Sequence, residues 1–182
     1  MKYTNHLFCC FLIVISLISC KDQEKQTIQI TKTASGSSAE EDVKETLKTF
    51  VEGETYAYME KNYEKWASFW DHSEDVLRLD ISETGFAQTR GWKNSGGNLE
   101  SFFKENPEPI TSTFVNSNYL IFYDDHLAWV AFDQTWTSQS GEKSVAKATI
   151  TLVKKENDWK IISYTAIQYK AEDQNVDTLN RK

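Results

Sequence analysis

Residues 111–169, TSTFVNSNYLIFYDDHLAWVAFDQTWTSQSGEKSVAKATITLVKKENDWKIISYTAIQY, decide the fold. Apolar and polar residues alternate through this stretch with the period of a β-strand, and short polar segments interrupt the alternation. Strands are expected at about 111–123, 126–137, 144–155 and 158–169. Asp124-Asp125 turns the first pair, Gln139-Ser140-Gly141-Glu142 the second and Glu156-Asn157-Asp158 the third. Turns this short join antiparallel neighbours, so the segment reads as a meander.

Upstream the period changes. Ser38 and Glu41 have capping-box spacing, and Val43, Leu47, Phe50 and Val51 follow on one helical face that continues to Tyr58. Lys61-Asn62 interrupts this face, and Asn62 can cap a second helix carrying Tyr63, Trp66, Ala67, Phe69 and Trp70. Helices are therefore expected at about 39–60 and 62–71. VLRLDI, from Val76 to Ile81, alternates as a strand; Ser82-Glu83-Thr84-Gly85 turns, and Phe86 to Arg90 is a short second strand. Gly91 to Asn106 reads as a loop running into a helix, with Asn98 as its cap and Pro107 and Pro109 beyond its end. The order α-α-β-β-α-β-β-β-β, helices in front and meander behind, is that of an α+β domain.

The amino terminus is of another kind. MKYTNHLFCCFLIVISLISC has one early lysine and an apolar run from Phe8 to Ile18. The run is too short for an ordinary spanning helix and fits the apolar region of a signal peptide. Leu17-Ile18-Ser19-Cys20 resembles the lipobox of bacterial lipoproteins, which implies cleavage before Cys20 and lipid on its sulfur. The organisation expected is a signal peptide at 1–19, a flexible tether at 20–38, a domain at 39–170 and a disordered tail at 171–182. The tether includes Thr27-Ile28-Gln29-Ile30-Thr31, too short to assign as a strand. All three cysteines, Cys9, Cys10 and Cys20, precede the domain, so it has no thiol for a metal, a disulfide or a nucleophile. The expected location is the bacterial cell envelope, periplasmic or surface-facing, with the membrane held through Cys20.

With 20 basic and 27 acidic residues the chain carries a net charge of −7. Nucleic-acid binding needs the opposite balance. Histidines without HxH or HExxH spacing offer no zinc site, and no phosphate loop, nucleophile elbow or Ser/His/Asp spacing is present. No cofactor and no metal are expected.

The element order resembles that of the NTF2-like superfamily in its SnoaL-like branch, over about residues 39–170. So do the helical Trp66…Phe69-Trp70-Asp71-His72, the strand segment Leu127-Ala128-Trp129-Val130 and the closing Asn157-Asp158-Trp159-Lys160-Ile161. The resemblance implies a cone: three helices packed in a curved, mostly antiparallel six-stranded sheet around a cavity. It also implies a choice of functions. One is a small-molecule-binding or interaction module. Another is a small cofactor-independent enzyme of the ketosteroid-isomerase or SnoaL type, an isomerase, dehydratase or cyclase. A third is a non-catalytic structural dimer joined through the sheet.

Within that cone, the residues expected at the cavity are Trp70, His72, Asp80, Trp92, Gln134, Trp136 and Tyr164, which suit a small apolar or aromatic ligand. Asp80 and His72 are the candidate acid–base pair. Arg78 shares a strand face with Asp80. Gln134 and Trp136 share a face with Val130 and Phe132, opposite Asp133 and Trp129, and a one-residue slip would exchange the two sets. Trp92, between Gly91 and Gly96-Gly97, is a lid candidate. His126, in the Asp124-Asp125 turn, has a structural place.

Overall fold

The computed structural model describes residues 37–169. The lipobox with Cys20, residues 1–36 of the expected peptide and tether, and the tail from 170 onward lie outside the described residues. No helix among the described residues is long and apolar enough to cross a membrane.

The first helix, α1 (Ser37–Met59), starts before the expected cap, so Ser38 stands inside its first turn. Its inward stripe is Leu47, Val51, Glu54, Thr55 and Ala57, all buried. Helix α2 (Tyr63–Ser68) is capped as its sequence suggests: the Asn62 side chain accepts a hydrogen bond from Lys65 N at 3.0 Å. It ends before the expected 71 because the following backbone joins the sheet. Ile161 N donates to Phe69 O, Asp71 N donates to Ile161 O, and Trp70 forms a parallel bridge with Ile161.

Strands β1 (Leu77–Ser82) and β2 (Gly85–Arg90) form a hairpin, and α3 (Trp92–Glu105) follows at once. Here the sequence reading is corrected. The stretch from Trp92 to Gly97 is helix rather than loop, and Asn98 lies inside it. Gly91 supplies the entry with φ at 78°, a backbone angle side chains disfavour. Gly96 lets the Trp92 indole fold back over its own helix, since a Cβ there would stand 2.7 Å from that ring.

Strands β3 (Thr113–Tyr123), β4 (Leu127–Thr137), β5 (Lys143–Lys155) and β6 (Asp158–Tyr169) complete a six-stranded sheet in the order β2-β1-β6-β5-β4-β3. Every pairing is antiparallel except β1 with β6, where Arg78 lies opposite Tyr164. The register slips between Ser117 and Leu120, with Asn118 at φ 54°, and again at Thr151/Leu152. Bulges of this kind bend a strand and increase its twist. The β3–β4 turn is tied by Asp124 Oδ1, which accepts from the backbone N–H of His126 and Leu127.

The inner sheet face carries Ala128, Val130, Phe132 and Gln134 of β4 and Ala146, Ala148, Ile150 and Leu152 of β5, all buried. Against it lie Leu47 and Val51 of α1 and the indoles of Trp66 and Trp70. Burial of large apolar side chains, roughly 1.5–3 kcal/mol each, seats α1 across the sheet.

Candidate functional site

The core is not filled from end to end. Toward the carboxy-terminal end of α1 a cavity of about 320 Å³ opens between that helix and the sheet. Its floor includes Ala146 and Ala166, on the central strands β5 and β6. Methyl groups there leave space that the larger Ile150 and Leu152, farther along β5, take up elsewhere. Glu54, Thr55, Tyr58, Arg78, Asp80, Gln134, Trp136 and Tyr164 also line it.

Glu54 is the least expected of these. It sits three residues after Val51 on the buried stripe of α1, and its side chain is 5 % exposed. Its Oε1 accepts from Trp66 Nε1 at 2.6 Å and from Trp70 Nε1 at 3.3 Å. Burial pushes its carboxyl above the ordinary glutamate value, and the nearby Arg78 charge and the two indole donors offset only part of that effect. A carboxyl that holds its proton more tightly than usual, beside an open space, is a site for proton transfer or for donating a hydrogen bond.

Arg78 and Asp80, two apart on β1, both turn to the cavity. Arg78 Nε donates to Asp80 Oδ2 at 2.8 Å and Nη2 donates to Oδ1 at 3.3 Å, a side-on pair. The parallel ladder places Tyr164 beside Arg78, and the guanidinium carbon stands 5.0 Å from the tyrosine ring centroid. Burial works against the guanidinium charge, but the bonds and charge of Asp80 outweigh it, so Arg78 stays protonated. Burial also raises the hydroxyl pKa of Tyr58 and of Tyr164, which keeps both phenols neutral.

Gln134 is buried, and its amide is committed. Nε2 donates to Asn116 Oδ1 at 3.1 Å and to Thr55 Oγ1 at 3.4 Å, while Oε1 accepts from Trp136 Nε1 at 2.8 Å. This network fixes the Trp136 ring, which also packs on Phe114.

Of the residues expected at the cavity, Asp80, Gln134, Trp136 and Tyr164 line it. Trp70 stands behind Glu54, buried, as a donor to the carboxylate. His72 and Trp92 do not line it. Their rings stack on each other at 4.0 Å and 10°, and Trp92 stacks in turn on Trp66 at 5.8 Å. His72 Nε2 lies 3.0 Å from Ala67 O. Trp92 is therefore the wedge between α2 and α3, not a mobile lid. Asp80 is engaged by Arg78 and His72 by Ala67 O and the Trp92 ring, so the expected acid–base pair has no contact between its members. The groups that sequence reasoning missed are Glu54 and Tyr58. Glu54 had a signal, a carboxylate on the apolar period of Leu47 and Val51. Among the described residues no group of three His, Cys, Asp or Glu side chains is placed to hold a metal ion.

No protein-family model and no curated protein matches this sequence. Solved structures do match it. An NTF2-like protein of unknown function from Pseudomonas putida KT2440 superposes with a TM-score of 0.57 at 12 % identity, over 70 % of this chain and 87 % of that one. An NTF2-like protein of unknown function from Shewanella oneidensis MR-1 gives 0.53 at 14 %, over 69 % and 98 %. A candidate ketosteroid isomerase from Parabacteroides distasonis gives 0.51 at 17 %, over 68 % and 87 %. Identities this low carry the architecture and nothing finer: the chain adopts the NTF2-like fold, an α+β arrangement of helices against a six-stranded mixed sheet.

Proposed function

We propose that the protein is a small-molecule-binding module of the NTF2-like type, anchored in the bacterial cell envelope through lipid on Cys20. The observation that carries the reading is the cavity itself. Its volume stands at the lower end of the range for ligand sites, and its lining mixes aromatic and apolar walls with a few convergent polar groups. A carboxyl group buried beside an open space with one oxygen unbonded is costly to keep, which favours a bound ligand over an interaction module without one.

The test is ligand-induced thermal stabilisation of the protein by a library of small aromatic and aliphatic compounds, run in parallel on Ala166→Leu. The added side chain occupies the floor of the cavity. Hits that stabilise the wild type and not the variant support the reading; hits indifferent to the variant count against it.

A second reading, proton abstraction next to a carbonyl by a small enzyme of the ketosteroid-isomerase kind, is favoured by Glu54. In that reading Glu54 is the acid–base group. Asp80 is held by Arg78, and His72 lies off the cavity. A homodimer through the outer sheet face is compatible with either reading. That face presents Val115 at 65 %, Leu120 at 52 % and Phe122 at 60 % exposure, a concentration of exposed apolar residues on one strand. Sedimentation of the wild type against Phe122→Lys tests the dimer.

A further inference from the structure

We propose that the ligand is a small carboxylic acid, bound as its carboxylate where Arg78, Tyr58, Tyr164 and Glu54 face the cavity. This rests on the binding reading above and narrows it to a chemical class.

Unused hydrogen-bonding capacity is the starting point. Asp80 occupies Nε and Nη2 of Arg78, and Nη1 has no hydrogen-bond partner among the described residues. The hydroxyls of Tyr58 and Tyr164 have none either, and both residues line the cavity. Both bonds to Glu54 fall on Oε1, which leaves Oε2 without a partner. None of these atoms is shut away from the space beside it, since the only fully enclosed side-chain polar atom lacking a bond among the described residues is Nδ2 of Asn116. Buried polar groups seek partners, and all four residues line this cavity, Tyr58 and Arg78 also bordering a second one toward Leu99 and Phe102 of α3, so the set they share describes an occupant of the first.

Every member of the set can donate. Nη1 of Arg78 can only donate. The phenols are neutral and have protons to give. Glu54 donates from Oε2 once protonated, which its burial favours. An occupant that accepts hydrogen bonds satisfies all of them, whereas an ammonium can donate only to the phenol oxygens and an ionised Glu54 and is repelled by the Arg78 charge. Among acceptors, a carboxylate gains most, because charge-assisted bonds from a guanidinium are stronger than neutral ones. Asp80 and the Tyr164 ring hold the guanidinium from two sides, so its free edge keeps a fixed direction.

Charge balance supplies the second consequence. Arg78 is already matched by Asp80, so an incoming carboxylate is tolerated when Glu54 carries its proton. Binding is therefore linked to protonation and weakens as pH rises. Val145, Ala146, Ala166 and Trp136 line the same cavity, which suits a short apolar or aromatic tail.

The experiment is isothermal titration of the full-length protein in detergent micelles with phenylacetate, phenylacetamide and 2-phenylethylamine. Phenylacetate is expected to bind about tenfold tighter than the amide, the advantage of a bond to a charged group. The amine is expected not to bind. Arg78→Met is expected to remove the preference for the acid. Tyr164→Phe, which keeps the ring under the guanidinium and so preserves the packing, is expected to weaken phenylacetate about fivefold. In the wild type the dissociation constant rises with pH, and in Glu54→Gln it does not. Tighter binding of amide or amine, by a route that Ala166→Leu blocks, overturns the carboxylate assignment and leaves the binding cavity standing. Failure of all three probes to bind overturns both.

Discussion

The indole N–H of Trp66 donates to Glu54 Oε1 at 2.6 Å, and this bond joins the second helix to the first inside the core. It fixes a carboxyl group that the apolar stripe of α1 would otherwise exclude, on a residue that lines the cavity. Trp66 is fully buried, stacked on Trp92 and tilted against Trp70, whose indole also donates to Glu54, so the aromatic cluster and the polar site share both indoles.

Replacing Trp66 by Phe keeps most of the ring and removes the donor. The expected loss is about 1–3 kcal/mol of stability, the range for a buried acceptor left short of a bond. Urea unfolding of the two proteins measures it. A change below about 0.5 kcal/mol, the size of an ordinary surface substitution, contradicts the role given to the bond.

Glu54 also sets a pH dependence. Its carboxyl lies above the ordinary value in the fold, by burial first, so the folded state favours the protonated form. The sign follows: its contribution is fully present below the unfolded value, near 4.5, and is lost as pH rises through the folded value. Glu54→Gln, which can keep the indole bonds on its amide oxygen, removes that loss. The stability difference between wild type and variant should therefore tilt toward the variant with rising pH. A difference independent of pH between about 4 and 8 contradicts the burial of an ionisable group at this position.

Gly96 and Gly97 are neighbours in α3 with opposite expectations. A Cβ on Gly96 meets the Trp92 ring at 2.7 Å, whereas one on Gly97 meets nothing within 4 Å. Gly96→Ala should cost about 1–3 kcal/mol through overpacking. Gly97→Ala should stabilise by about 0.5–1 kcal/mol through helix propensity. Equal effects in thermal unfolding contradict the placement of Trp92 over its own helix.

These residues show what a sequence can and cannot disclose here. The alternation through Leu127–Thr137 specifies a strand with a single inner face, so the burial of Val130, Phe132 and Gln134 together follows from period two. The Asn62 cap is equally local. The start of α3 was hidden because Gly96 and Gly97 look like loop residues until the ring that needs Gly96 is in place. Glu54 was hidden by its acidic neighbours, Glu52 and Glu60, which make it read as one more surface charge. The parallel pairing of β1 with β6 brings Arg78 beside Tyr164 across a long separation in the chain, and no local period reports such a contact.

Lipid attachment is tested by Cys20→Ala. The expected result is loss of labelling by a radioactive fatty acid and release of the chain from the membrane fraction, since stable anchoring takes more than one acyl chain. Unchanged labelling contradicts the lipobox reading.

The central claim, that the cavity between α1 and the sheet is a ligand site, is tested most directly by mapping. Backbone amide chemical shifts of the isotope-labelled protein are followed while phenylacetate is added to the wild type and to Ala166→Leu. The account predicts perturbations centred on Glu54, Arg78 and Tyr164 that vanish in the variant. Perturbations that survive Ala166→Leu, or that gather on the outer sheet face around Leu120 and Phe122, would contradict it.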